Sequence, residues 1–251
     1  MKKKVNLINI LIVFILVFCL VFNFSTPKHN YEVNKINTSE KVVMLTFDDG
    51  PSVTDDVEIM NILDKYNAKA TFFGTGINYE KYFTDQGQTK AVVDRMIKDG
   101  HSLGNHSYNH NKYQFKTKKA YEKEFYRTSE LIVKIYAENG IEKSIADIPV
   151  RMPYLQYYRG MGYLQEKLQI DYFIRGYLGC DYKEQSCGKE KILKQYKSHL
   201  SKGKILVCHT RAYAKEWLPD LLEFLKENDY KTVNFNNEQN WGYQKYGGLI
   251  F

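Results

Sequence analysis

Short, nearly unbroken apolar runs recur along this chain, each followed by a stretch of helical periodicity, and that alternation leaves few folds open. The first run lies in Lys41–Phe47, reads Val-Val-Met-Leu-Thr-Phe after the lysine, and stops at Asp-Asp-Gly-Pro. Such a run suits a buried strand ended by turn residues. Thr54 stands where it would cap a helix from about Asp55 to Tyr66, with Ile59, Ile62, Leu63 and Tyr66 on one face. Ala70–Gly74 predicts the next strand, Lys90–Lys98 a helix ended by Gly100, His101–Asn105 another strand, and Lys118–Glu138 a long helix. Strands are expected again at Ile148–Arg151, Tyr172–Tyr177, Ile205–His209 and Thr232–Phe235, with helices near Lys189–Leu200 and Leu218–Glu227. Strands alternating with helices imply an α/β fold with a mainly parallel sheet. Asp48, Asp49, His106, Arg151, Asp181 and His209 each fall just after or at the end of one of these elements. In a parallel barrel those strand ends share one face, where active sites form.

The N-terminus is of a different kind. Lys2–Lys4 precede a mostly apolar stretch from Val5 to Phe24, near the ~20 residues a helix needs to cross a bilayer. The lysines should stay cytoplasmic, which puts the rest of the chain on the outer side. No small-residue cleavage pattern follows Phe22, so 1–24 is expected to be an uncleaved transmembrane anchor, with a cleaved signal segment as the rival. Residues 25–40 are polar and aperiodic and read as a linker, leaving 41–251 as the working domain.

A domain of that size buries enough surface to need no disulfide framework. Of the four cysteines, Cys19 lies in the leader and Cys208 in an apolar run. Cys180 and Cys187 are close enough to close a small loop in an oxidising compartment, and the sequence leaves open whether they do. The formal net charge of +7 favours anionic surroundings such as cell-wall polymer or lipid headgroups. No basic stretch interleaved with aromatics suggests nucleic acid as a partner.

Two clusters carry chemistry. Thr46–Ser52, TFDDGPS, places adjacent carboxylates at a strand end. Adjacent strand residues point opposite ways, so a turn must redirect one, and Gly50-Pro51 is expected to supply it. One Asp would then bind a metal while the other serves as base; an Asp-rich turn with capping duty is the plainer alternative. In the second cluster, His106 and His110 are spaced four apart, which on a helical turn aims both imidazoles to one side. A carboxylate and two His leave coordination positions open, as a catalytic metal site requires. His101 reads as an ordinary core or surface histidine.

TFDDGP, HSYNH, RMPY and a late strand ending in His209, in this order, resemble the polysaccharide deacetylase (NodB-homology) family of carbohydrate esterases over roughly 41–235. The resemblance implies a distorted (β/α) barrel. It implies Asp49, His106 and His110 as ligands of a divalent metal, most often Zn2+, and Asp48 as general base. Arg151 would orient that base. Pro153 and Tyr154 would shape the groove, with the Tyr154 backbone N–H helping to bind an oxyanion. Asp181, followed by the groove residue Tyr182, would tune His209 as general acid. Leu178 and Tyr182 depart from the family's fourth motif, Asn111 stands where proline is common, and Val207 is a mild change in the fifth motif. The activity implied is metal-dependent removal of N-acetyl groups from an N-acetylglucosamine-containing polymer, peptidoglycan or chitin-like. The alternatives are an O-acetyl esterase and a non-catalytic carbohydrate-binding protein on the same fold.

Overall fold

The computed structural model describes residues 31–112, 117–236 and 242–250. Two short strands open it, β1 (Glu32–Val33) and β2 (Lys35–Ile36), followed by β3 (Val42–Asp48), all seven residues of which are buried. Then come α1 (Asp55–Lys65), β4 (Ala70–Gly74), α2 (Gly76–Glu80), α3 (Gln88–Lys98), β5 (Ser102–Asn105) and α4 (Lys118–Glu138). The second half holds α5 (Met161–Leu168), β6 (Phe173–Ile174), β7 (Tyr177–Leu178), α6 (Glu184–Ser198), β8 (Lys204–His209), α7 (Ala214–Glu227), β9 (Lys231–Thr232) and β10 (Leu249–Ile250).

β3 is the spine of the sheet because its run is apolar on both faces and buried between neighbours. β4 and β8 flank it in parallel, and β5 continues beyond β4. The other edge of β8 is shared, antiparallel β2 pairing at Lys204 and parallel β7 at Leu206–Val207. β10 extends past β2, β9 pairs with the start of β3, and β1 pairs with β6 in a separate two-stranded sheet. The parallel strands β3, β4, β5 and β8 therefore end at one common mouth.

The expected barrel is corrected to a curled mixed sheet, a half-barrel. Between β5 and β7 the ring is spanned by single contacts: Asn105 bridges Val150, and Ile174 N–H donates to the Val150 carbonyl at 2.8 Å. The reason lies in one side chain. Arg151 Nε and Nη2 donate to the carbonyls of Ile174 and Arg175 at 3.2 and 3.1 Å, which withdraws both from any ladder. Gly176, at φ 88° against the Ile205 carbonyl, then turns the chain. The strand expected at Tyr172–Tyr177 is thus split into β6 and β7, and that at Ile148–Arg151 is reduced to one bridge.

Residues 31–40 belong to the fold and correct the expected extent of the linker. Val33 and Ile36 are 0% and 1% exposed, in a cluster with Val42, Met44, Phe73 and Ile205. The leader and residues 25–30 lie outside the described residues, and among the described residues no helix is long and apolar enough to cross a membrane. Helix α7 shows how the outer layer is built: Trp217, Leu218, Leu221, Leu222 and Leu225 recur every three or four residues and are all buried. Ser52, not Thr54, serves the start of α1, its hydroxyl accepting from Asp55 N–H at 3.1 Å. Helices α2 and α5 were not legible from periodicity.

Because Ile36 is buried in β2 and is not part of a tether, Ile36→Ala should lower stability by about 2–5 kcal/mol, read from the urea midpoint. A tether would tolerate the change without effect.

Candidate active site

β3 delivers two carboxylates to the mouth. Asp48, its last residue, is 2% exposed, and Asp49 follows at φ 78° in the left-handed region. That backbone step, at Asp49 itself rather than at Gly50-Pro51, undoes the strand alternation, so both carboxylates approach the same imidazole. The turn is fixed from behind: Asp49 N–H donates to the Phe73 carbonyl at 3.2 Å, and Asn78 Nδ2 donates to the Asp49 carbonyl at 3.0 Å.

His106 and His110 do converge, with ring centroids 4.8 Å apart, but no helical turn brings them together. Ser107 and His110 have φ values of 65° and 52°, so the segment after β5 is a bend. Asn105 holds it by accepting from Ser107 N–H at 2.8 Å, while its own amide donates to the Phe125 carbonyl and Ser129 hydroxyl at 2.7 and 2.8 Å. Ser107 Oγ accepts from His110 N–H at 3.2 Å.

These side chains fit a cation. One ligand atom each from Asp49, His106 and His110 can be chosen with all three within 4.8 Å of one another. Asp49 Oδ1 lies 3.4 Å from His110 Nε2 and 3.9 Å from His106 Nε2. A tetrahedral ion with bonds of about 2.1 Å sets its ligands roughly 3.4 Å apart. Asp49 Oδ1 is buried yet accepts no hydrogen bond. His106 Nδ1 is 3.0 Å from the Arg151 carbonyl, which accepts from the Nδ1–H and leaves Nε2 with its lone pair toward the cluster. Burial, then the charges of His110 and Arg151, pull the His106 pKa down against Asp48 and Asp49, which keeps the ring neutral as a ligand must be.

Arg151 is wholly buried and lies directly on Asp48, Nη1 to Oδ1 at 2.6 Å. The same Nη1 donates to Thr46 Oγ1 at 2.7 Å, and that hydroxyl donates to the Leu206 carbonyl at 2.7 Å. The guanidinium carbon stands 4.2 Å over the Phe73 ring. Gly104 on β5 makes room for that ring, since a Cβ there would fall 2.5 Å from it. Burial alone would raise the Asp48 pKa, but Arg151, His106 and His209 together hold it below the ordinary carboxylate value.

On the other flank, β8 ends at His209, opposite Asp48 in the ladder. Asp181 accepts from His209 N–H at 2.7 Å and lies 3.1 Å from Nδ1. Burial opposes the imidazolium, but the Asp181 hydrogen bond and charge, with Asp48 and Asp49, outweigh it and raise the His209 pKa. Pro153 is buried and opens a single 3-10 turn. Tyr154 follows at φ 59°, 53% exposed, its ring 4.5 Å from that of His110, and its N–H donates to no other group among the described residues. Tyr182, 43% exposed, stands 5.9 Å from the His209 ring. All ten residues singled out in the sequence therefore lie around one mouth.

Others were missed. Asp56 is fully buried behind the turn, accepting from Ser52 N–H at 2.8 Å and Thr210 Oγ1 at 2.7 Å, so it ties the carboxylate turn to the end of β8. Burial pushes its pKa up to about 7. Arg211 approaches Asp49 Oδ2 at 3.4 Å. Thr46, Asn105 and Asp56 carried no signal beyond adjacency to the motifs, because their partners lie far off in the chain. His101 is a core residue: Nδ1 accepts from Ala70 N–H at 3.1 Å, and burial pushes its pKa down to about 3. A cavity of about 1030 Å3, lined by residues such as Asn67, Asp94, Arg95 and Asn139, shares no residue with this site.

A family model described as polysaccharide deacetylase matches residues 35–173, more than half of the chain. The chain belongs to the polysaccharide deacetylase family. A peptidoglycan-N-acetylglucosamine deacetylase of Bacillus cereus is 34% identical over 80 residues, 32% of this chain and 34% of that protein. The matched stretch spans about a third of the length of such curated relatives. Among solved structures, a family 4 acetyl xylan esterase from Clostridium thermocellum in complex with cobalt aligns with a TM-score of 0.65 at 26% identity, covering 77% of this chain and 88% of that one. A CE4 family pseudoenzyme from Bacillus anthracis aligns with a TM-score of 0.67 at 19% identity, covering 82% of this chain and 67% of that one. The fold is thus shared by proteins that do and do not turn over substrate, and the side chains at the mouth must decide between them.

Replacing Arg151 by Met leaves Asp48 buried without its cation and should lower stability by about 3–5 kcal/mol in urea unfolding. Adding Asp48→Asn should recover part of that loss; strictly additive losses would mean that the pair is not coupled.

Proposed function

We propose that this chain is a metal-dependent hydrolase that removes N-acetyl groups from an N-acetylglucosamine-containing polysaccharide, peptidoglycan or chitin-like. The observation that carries the reading is a single mouth where a metal-suited trio stands between an ionised carboxylate and a carboxylate-backed imidazole. A divalent ion on Asp49, His106 and His110, zinc by the character of the donors, would supply Lewis acidity and lower the pKa of water toward ~7. Asp48, kept ionised by Arg151, is placed to take the proton of the attacking water. The unengaged Tyr154 N–H is placed to donate to the oxyanion of the tetrahedral intermediate. His209, kept protonated by Asp181, gives its proton to the departing amine nitrogen. An amine is a poor leaving group without that proton, so an acid at this position suits amide cleavage.

The rim supports an anionic glycan. Lys112 Nζ lies 5.4 Å from the Tyr154 ring and Lys183 Nζ 5.2 Å from the Tyr182 ring, while Arg211 flanks Asp49. Three exposed cations and two exposed tyrosines suit a cell-wall polymer, the tyrosine faces stacking on sugars. Export through the 1–24 leader, as membrane anchor or signal, would bring the domain to that polymer. A second reading keeps the machinery and takes O-acetyl esters, favoured by the likeness to the acetyl xylan esterase. Turnover of matched ester and amide substrates separates the two.

Zinc-loaded protein should release acetate from peptidoglycan or N-acetylglucosamine oligomers, lose that activity to a chelator and regain it with added zinc. Asp49→Ala should abolish both zinc binding and turnover, and intact turnover in the chelated protein would sink the reading. Asp181→Asn removes the charge that raises the His209 pKa, and the acid must be protonated to work. The alkaline limb of kcat/KM should therefore move to lower pH, with a lower kcat; an unmoved limb would deny His209 the role of acid.

A further inference from the structure

Cys180 and Cys187 are joined in a disulfide, and the loop it closes contains Asp181, the partner of His209. The chain enters this loop from β7, which is held in the sheet. It leaves through Gly188, whose φ of 68° and ψ of 161° break α6 into a short first stretch and the longer helix that follows. Beyond Gly188 the helix is well anchored. Lys189 N–H donates to the Tyr213 hydroxyl at 3.1 Å, Lys189 Nζ pairs with Asp220 at 2.8 Å, and the buried Tyr196 donates to the Val207 carbonyl at 2.8 Å.

Two hydrogen bonds close within the loop between those ends. Lys183 N–H donates to the Cys180 carbonyl at 2.9 Å, and Ser186 Oγ to the Lys183 carbonyl at 3.2 Å. Gly188 meets nothing within 4 Å of where a Cβ would stand, so the crossing into the helix has room to swing. The two half-buried cysteines pack against the main core and strap the turn Asp181–Lys183 to the first residues of α6.

We propose that the Cys180–Cys187 disulfide is a positioning element for the general acid, holding the Asp181 carboxylate against His209. The inference rests on the reading of His209 as acid. Asp181 faces His209 from this loop, Asp48 and Asp49 face it from the end of β3, and the Tyr182 ring lies beside it. Loosening the loop withdraws Asp181 and leaves the other two carboxylates in place. The imidazole then keeps its location at the end of β8 but loses the bond that orients Nδ1.

The test compares zinc-loaded wild type, Cys180→Ser/Cys187→Ser, Asp181→Asn and the triple variant. The disulfide loss should lower kcat about tenfold with KM unchanged, a fraction of what removing an acid outright costs. The His209 titration, followed by NMR without substrate, should move to lower pH in the direction that Asp181→Asn moves it. In the Asp181→Asn background the serine substitutions should change nothing further. A phosphine reductant applied to folded wild type guards against misfolding of the double variant. It gives an electron pair to the S–S bond, and water supplies the oxygen of the phosphine oxide and the two thiol protons. Its effect should match the double variant and reverse on reoxidation. Wild-type kcat and His209 titration after loss of the bridge, or an equal further loss on top of Asp181→Asn, overturns the inference. If no acetylated glycan is hydrolysed, the proposed function fails while the substrate-free titration still decides the role of the disulfide.

Discussion

The Arg151–Asp48 contact is the constraint around which the mouth is arranged. A guanidinium and a carboxylate, both removed from water, are tolerable only if nearly every donor finds an acceptor. Arg151 meets that demand with Asp48, Thr46 and the carbonyls of Ile174 and Arg175. Its own carbonyl lies against His106 Nδ1. One residue therefore sets the ionisation of the proposed base and the tautomer of a proposed metal ligand. The same bonds interrupt the sheet, so the incomplete barrel and the charged centre have a common origin.

Backbone conformations that L residues adopt reluctantly gather at this mouth. Asp49, Ser107, His110 and Tyr154 all have positive φ. Each such residue costs on the order of 1–3 kcal/mol and persists where the surroundings over-determine it. Three of the four are pinned by bonds already described: Asp49 by Phe73 and Asn78, Ser107 by Asn105, and His110 by Ser107. Aiming adjacent or near-adjacent side chains at one point requires departures from regular strand or helix, and the packed sheet behind them bears the strain.

Much of this was legible before coordinates. β3, β4 and β8 were visible because parallel strands buried on both faces are written as largely apolar runs. The carboxylate pair, the histidine pair, Arg151 and His209 were visible because their motifs are local. What stayed hidden depends on partners distant in the chain. The split of β6 from β7 follows from the Arg151 side chain, and the burial of Val33 and Ile36 follows from pairing with β6 and β8. No spacing rule could find Asp56, whose partner Thr210 is 154 positions away. The helical spacing of His106 and His110 pointed to the right convergence through the wrong conformation.

Gly104 has a reach that its size conceals. It lies in β5, touches neither carboxylate, and leaves space for the Phe73 ring on which the Arg151 guanidinium rests. A rigid ring transmits displacement instead of absorbing it, so a single added methyl group on one strand would be felt at the charge network two strands away. Tolerance to change here is set by slack between neighbours, not by distance from the chemistry, and this line of contacts has none.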